Sequence, residues 1–195
     1  DGPDVREDSR TRFWSQGQKV DHALVYYHGY TNAPPQFNIL GEELCKQGYN
    51  VVVPRLPYHG LKDPLTTEQS RLKAEDMATL TQETVDIAQG LGNKVTIAGL
   101  SAGGVMAAWA AQFRSDVDLA VVISPAFGLP IVPGWVSSIF GFAVRHLPNF
   151  YIWWDPRVKE KIVGPAHAYP RFSTKGLEET FRLGKEVREA AKSTK

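Results

Sequence analysis

Cysteine is almost absent. Cys45 is the only one in 195 residues, which excludes an internal disulfide and any cysteine-based metal cluster. Such usage leans toward the cytoplasm but also fits many exported bacterial proteins, so localisation stays open. Charge of one sign is also missing. The 22 basic and 21 acidic residues leave a formal net charge of +1. They form no basic stripe able to neutralise phosphates, so no nucleic-acid partner is expected. No stretch reaches the roughly 18 apolar residues of a membrane span. The longest, Trp135 to Val144, is broken by Ser137 and Ser138 and closed by Arg145. No His, Asp or Glu spacing resembles a metal-ligand set, so neither a metal nor a cofactor is expected. No internal repeat occurs. The chain opens at Asp1 without a methionine, which leaves room for an upstream leader or strand.

What remains is ordinary in bulk. The chain is 43% hydrophobic and 11% aromatic, a globular composition long enough for one domain with a substantial core. Residues 1–19 are polar and read as an irregular lead-in. Ala23–His28 (ALVYYH) reads as a buried strand and runs into the loop chemistry of GYTNAPP. Phe37, Leu40 and Leu44 then recur at helical spacing, with Gly48 as the stop. NVVVPRL is a second strand. A long helix over about 68–90 follows, its core stripe expected at Met77, Leu80, Thr84 and Ile87. KVTIAGL, AGGVMAAWAAQF and LAVVISP complete a third strand, a helix and a fourth strand. Strands apolar on both faces, alternating with helices, predict an α/β fold: a mostly parallel sheet covered by helices on both sides. After Pro125 the alternation stops. An aromatic and proline-rich stretch leads, through a polar segment, to a last amphipathic helix carrying Leu177, Phe181, Leu183 and Val187.

The chemistry concentrates at GLSAG, Gly99 to Gly103. It matches G-x-S-x-G in the required setting, with a strong strand before it and a helix directly after. A sharp turn of this kind places the serine in strained backbone angles, and side chains two residues to either side would collide. Both flanking positions therefore need glycine. Ser101 would stand above the sheet as a nucleophile, with the N-terminus of the following helix aimed at developing negative charge. A phosphate loop is the competing reading, but no lysine follows and neither nucleotide fingerprint fits. Upstream, His28 and Gly29 directly follow the first buried strand. In a serine hydrolase the backbone N–H of the residue after such an HG forms half of an oxyanion hole. The N–H of the residue after the nucleophile forms the other half. Here these residues are Tyr30 and Ala102.

Together, YYHGYTNAPPQFNILGEELCKQGYNVVVPRLPYHG and VTIAGLSAGG resemble the α/β-hydrolase superfamily, and within it the bacterial carboxylesterase and monoacylglycerol-lipase-like branch. The resemblance covers about residues 23–125. Tyr58 stands where that branch usually has glycine, and Ala102 where it often has methionine or leucine. The resemblance implies a core over residues 1–125, a helical lid over 126–176 and a helix over 177–195 returning to the core. It also implies a small-molecule ester substrate and a structural role for His59. In the lid, Val132, Trp135, Val136, Ile139, Phe140 and Leu147 recur at helical spacing and, with Trp153 and Trp154, favour an apolar acyl group.

In this superfamily the acid and the histidine follow the nucleophile on loops after later strands, and no such strands are evident here. Asp155, His146 and His167 are the remaining candidates, all within the lid-like stretch. The expectation is a C-terminally incomplete α/β-hydrolase fold, with acid and base outside the chain and little activity in the chain alone. Thioesterases, peptidases, C–C hydrolases and acyltransferases share the constellation. A non-catalytic member binding an apolar ligand or a partner is the alternative from another class.

Overall fold

The computed structural model describes residues 2–128, 144, 147–158 and 165–193. Five strands form the main sheet: β1 (Arg12–Trp14), β2 (Val20–Tyr27), β3 (Asn50–Val53), β4 (Gly92–Leu100) and β5 (Leu119–Ile123), in the order β1-β3-β2-β4-β5. All neighbours are parallel except β1, which runs antiparallel to β3 with Phe13 opposite Val52. Val25, at the centre, pairs with Val52 on one side and Ile97 on the other. Val51, Val52 and Val53 of β3 and Val25 and Ile97 of β2 and β4 are buried because both faces of these central strands are covered.

Alternation along β2 feeds two cores. Ala23, Val25 and Tyr27 face a cluster completed by α2 (Ala74–Leu91), α3 (Ala102–Phe113) and α4 (Thr174–Ser193). Leu24 and Tyr26 face the opposite cluster, with Phe37, Val51, Val53 and Ala98, beneath α1 (Asn38–Lys46). The expected two-sided α/β architecture is present.

Four expectations change. The lead-in contains a strand, β1, whose Trp14 indole lies where a Cβ on Gly41 would sit, 2.5 Å from the nearest ring atom. Glycine there lets α1 rest on the indole, and Leu40 is left 43% exposed rather than in the core. The stripe of α2 holds at Met77 and Thr84, which are buried, and at Leu80, which packs against the core, but it differs at two positions. Thr81 is fully buried while Ile87 is 53% exposed, because Thr81 Oγ1 donates to the Met77 carbonyl at 2.8 Å and so enters the core satisfied. The stretch after Pro125 does contain strands. β6 (Tyr151–Trp153) and β7 (Arg171–Ser173) form an antiparallel ribbon, with the Arg171 guanidinium 4.5 Å above the Tyr151 ring. Finally, β5 is not buried on both faces. Leu119, Val121, Val122 and Ile123 are between 39% and 56% exposed. Among the described residues, β5 pairs only with β4.

Asn149 joins the ribbon to α4. Its Oδ1 accepts the Lys175 N–H at 3.2 Å and the Ser173 hydroxyl at 2.7 Å. At the same end of α4, the Glu179 carboxylate accepts the Ala74 N–H of α2 at 3.1 Å. The lid helix read over residues 132–147 lies outside the described residues except for Val144 and Leu147.

Candidate active site

β4 ends at Leu100 and α3 begins at Ala102, leaving a single residue to reverse the chain. Ser101 does so at φ 58° and ψ −111°, a region that non-glycine residues occupy only under constraint. The surroundings leave no room for side chains at the flanking positions. A Cβ on Gly99 would sit 1.9 Å from the Gly103 carbonyl oxygen, and one on Gly103 would sit 2.1 Å from that of Tyr27. Ser101 is further fixed through its backbone. Its N–H donates to Ile123 O at 3.0 Å, and its carbonyl accepts from Val105 and Ala126, each at 3.1 Å. Its side chain is partly exposed, and among the described residues its Oγ has no hydrogen-bond partner.

A second turn leans against this one. After β2 the chain passes through His28 and Gly29, and a Cβ on Gly29 would lie 3.7 Å from Ser101 Cβ and 3.6 Å from Leu100 O. The Gly29 N–H is held by Gln36 Oε1 at 2.8 Å, and the turn closes with Asn32 N–H donating to Gly29 O at 3.1 Å. Between these bonds, the Tyr30 N–H has no acceptor among the described residues, and neither does the Ala102 N–H at the first position of α3. Two open amide donors on turns in contact are what a forming oxyanion requires. Ala102 adds the positive end of the α3 dipole.

The histidines nearest these turns are structurally committed. His28 is fully buried, and its Nε2 accepts the Leu56 N–H at 3.1 Å. Nδ1 therefore carries the proton and donates to Gly29 O at 3.0 Å. Burial, with a contribution from neighbouring His59, pulls its pKa down to about 3, so it stays neutral and clips the β2 loop to the β3 loop. His59 is also fully buried, with Nδ1 bonded to Pro57 O at 2.8 Å, and burial lowers its pKa to about 4. Its ring packs against His28, Tyr30 and Tyr169 at centroid distances of 5.7, 5.4 and 6.0 Å.

Of the later candidates, neither Asp155 nor His167 hydrogen-bonds to Ser101. The Asp155 carboxylate accepts from its own turn at Arg157 N and from the Arg157 guanidinium, and this pairing lowers its pKa. His167 lies near Asp8 and Arg6, with its pKa lowered chiefly by burial. His146 lies outside the described residues. A cavity of ≈ 750 Å³ opens between the N-terminal segment and the β3 loop, lined by Asp4, Arg55, Tyr58, Lys62, Asp63 and Glu68 among others. Ser101 does not line it.

One set of contacts has no signal in the sequence. Trp154, Tyr169 and Ser173, on and beside the β6–β7 ribbon, all hydrogen-bond to Tyr30 or Thr31. They lie more than 120 residues downstream of the turn they touch, and no local pattern links them to it.

Residues 18–192 match the family described as serine aminopeptidase, S33. A thermostable monoacylglycerol lipase from Bacillus sp. (strain H-257) is 28% identical over 126 residues, which are 65% of this chain and 48% of that protein. The match thus spans about half the length of that curated relative. Among solved structures, one from work on LipS and LipT, two metagenome-derived lipolytic enzymes, superposes with a TM-score of 0.74 at 21% identity. It covers 95% of this chain and 72% of its own. The monoacylglycerol lipase of Paleococcus ferrophilus gives 0.64 at 20% identity, covering 93% and 72%. At these identities the likeness is one of fold.

Proposed function

The chain belongs to the serine aminopeptidase S33 family, a branch of the α/β-hydrolases, and on that footing we propose that it carries the nucleophile half of a serine esterase acting on carboxylic esters of apolar acyl groups. Ser101 attacks the ester carbonyl, forming a tetrahedral intermediate that collapses to an acyl-enzyme with loss of the alcohol. Water then releases the acid. The amides of Tyr30 and Ala102 receive the oxyanion in both steps, and removing one such donor typically costs on the order of a hundredfold or more in turnover. The observation that carries this reading is the strained backbone of Ser101 between two glycines that tolerate no side chain. Its unbonded Oγ stands beside the turn that carries the open Tyr30 N–H.

In this reading the proton acceptor for Ser101 is a histidine outside the described residues, since both ring nitrogens of His28 are bonded and His59, fully buried and held neutral, makes its one ring bond to Pro57 O and none to Ser101. Residues 126–176 act as the cap over the serine, and residues 177–195 return the chain to the core. The preference for apolar acyl groups draws support from the aromatic density of that cap, where Phe150, Ile152 and Trp154 remain exposed. No cofactor takes part.

One observation favours a second reading. Among the described residues, nothing hydrogen-bonds to Ser101 Oγ to activate it. A protein that binds an apolar ligand beside Ser101 without turnover would share that feature. Intact mass after treatment with a fluorophosphonate separates the two readings. An esterase is labelled once, and Ser101→Ala is not labelled. An unlabelled wild-type chain that still binds an apolar ester with unchanged affinity after Ser101→Ala would replace the esterase reading with the binding one.

A further inference from the structure

The Tyr30 turn has an internal backbone bond, Asn32 N–H to Gly29 O, but none of the steric locks of the Ser101 turn. Thr31 sits at φ 63°, where a β-branched residue is an outlier that persists only if its surroundings hold it. No glycine relieves it, and the bonds that hold it come from the ribbon. Trp154 Nε1–H donates to Thr31 Oγ1 at 3.1 Å, and the Tyr169 N–H donates to Thr31 O at 2.8 Å. The Tyr30 hydroxyl donates to Ser173 O at 3.2 Å. Trp154 is itself fixed, its N–H donating to Pro170 O at 3.1 Å and its ring lying 4.6 Å from that of Phe172. The strained turn is thus clamped by Gln36 at Gly29 and by the ribbon at Tyr30 and Thr31, and the peptide whose N–H is open lies between the two clamps.

We propose that the β6–β7 ribbon positions the oxyanion donor: Trp154, acting through the Thr31 hydroxyl, sets the heading of the Tyr30 N–H, so the hole is formed only while the ribbon is seated. The catalytic meaning of this rests on the esterase reading above, but the positioning itself does not. Trp154 touches no reacting atom and is a positioning residue. Unseating the ribbon would release Thr31 toward an ordinary backbone conformation and turn the neighbouring peptide away from the serine.

The test uses the full chain, ¹⁵N-labelled, with Trp154→Phe, Thr31→Val, Thr31→Ser and the Trp154→Phe/Thr31→Val double variant. Trp154→Phe keeps an aromatic ring against Phe172 and removes only the donor. In Trp154→Phe and Thr31→Val the amide resonances of Tyr30 and Asn32 are expected to shift and to exchange with solvent about fivefold faster or more, while Ala102 stays put. The double variant should be no worse than either single one, because both remove the same bond. Thr31→Ser, which keeps the hydroxyl, should behave as wild type. Hydrolysis of 4-nitrophenyl butyrate should show kcat down about tenfold with KM within about twofold, the signature of an interaction made in the transition state.

An unmoved Tyr30 amide in Trp154→Phe would overturn the proposal, as would additive losses in the double variant. Turnover is read on the protein together with the residues that supply its acid and histidine; if that protein releases no nitrophenol that Ser101→Ala abolishes, the esterase reading fails. The amide measurements then decide the positioning by themselves.

Discussion

Two turns meet at the candidate site, and they are held in opposite ways. The Ser101 turn is locked from within, by glycines that fill its own tight spaces and by backbone bonds to the strands at its sides. The Tyr30 turn is locked from without, by a glutamine six residues ahead and by a ribbon far along the chain. Strain exists in both, at Ser101 and at Thr31. The first turn keeps its shape wherever its sheet forms. The second keeps its shape only where distant residues have already arrived. A nucleophile fixed by local sterics and an oxyanion donor fixed by distant contacts allow one half of the site to be adjustable while the other is not.

The contrast breaks most sharply under glycine replacement. Gly103→Ala places a methyl group against the Tyr27 carbonyl and should cost more than about 4 kcal/mol, enough to keep the chain from folding. Gly29→Ala meets only ordinary contacts, at 3.6 Å and beyond, and should stay within about 1 kcal/mol of wild type. Urea unfolding followed by circular dichroism compares the two. A tolerated Gly103→Ala would mean that the elbow is not sterically locked.

Acid should act on the other turn. His28 and His59 hold pKa values of about 3 and about 4 in the folded chain, below the ordinary histidine value near 6.5. The unfolded chain therefore binds more protons as pH falls. The stability both rings contribute is intact above about pH 6.5 and lost progressively toward pH 3–4. At pH 4.5 the loss should be on the order of 2 kcal/mol for each ring. Because His28 bonds Gly29, amide exchange should rise around Gly29–Asn32 before it rises around Gly99–Gly103. Equal loosening of both segments would remove the distinction.

The smallest expected effect sharpens the comparison from the serine side. Ser101→Gly removes the strained side chain and should raise unfolding free energy by about 1 kcal/mol, with reaction toward fluorophosphonates abolished. A loss of stability instead would show that the elbow draws support from the serine side chain itself.

The elbow was legible because its requirement is local. Gly99 must be small to clear the Gly103 carbonyl within the same five letters, and Gly103 to clear the Tyr27 carbonyl of the strand paired beside it, so five letters between a strand and a helix suffice. The HG turn was legible for the same reason. The clamp on Thr31 was not, because a tryptophan N–H meeting a threonine hydroxyl leaves no spacing rule in the sequence. β1 was hidden since three residues, RFW, carry no period; it is the edge of β3 and the Trp14–Gly41 contact that make them a strand. The stripe of α2 was legible at Met77 and Thr84, but Thr81 was not, because the burial of its hydroxyl depends on the bond it makes to the Met77 carbonyl one turn earlier. The exposure of β5 followed from what lies beside it rather than from its own letters, which read as fully buried.

The position of β2 in the sheet order carries a consequence for biosynthesis. The central strand is made before both of its neighbours, yet one of them is β4, whose Ile97 pairs with Val25. A growing chain can place β2 beside β3 early, but the other edge of β2 stays open until the ribosome has released everything through Leu100. During that interval ALVYY is a bare, aggregation-prone edge. The residues that end the wait are those of the nucleophile's own strand. Synthesis of the serine turn and closure of the sheet's centre are therefore nearly one event, and premature termination upstream of it would hand the cell an unclosed sheet for its chaperones and proteases to clear.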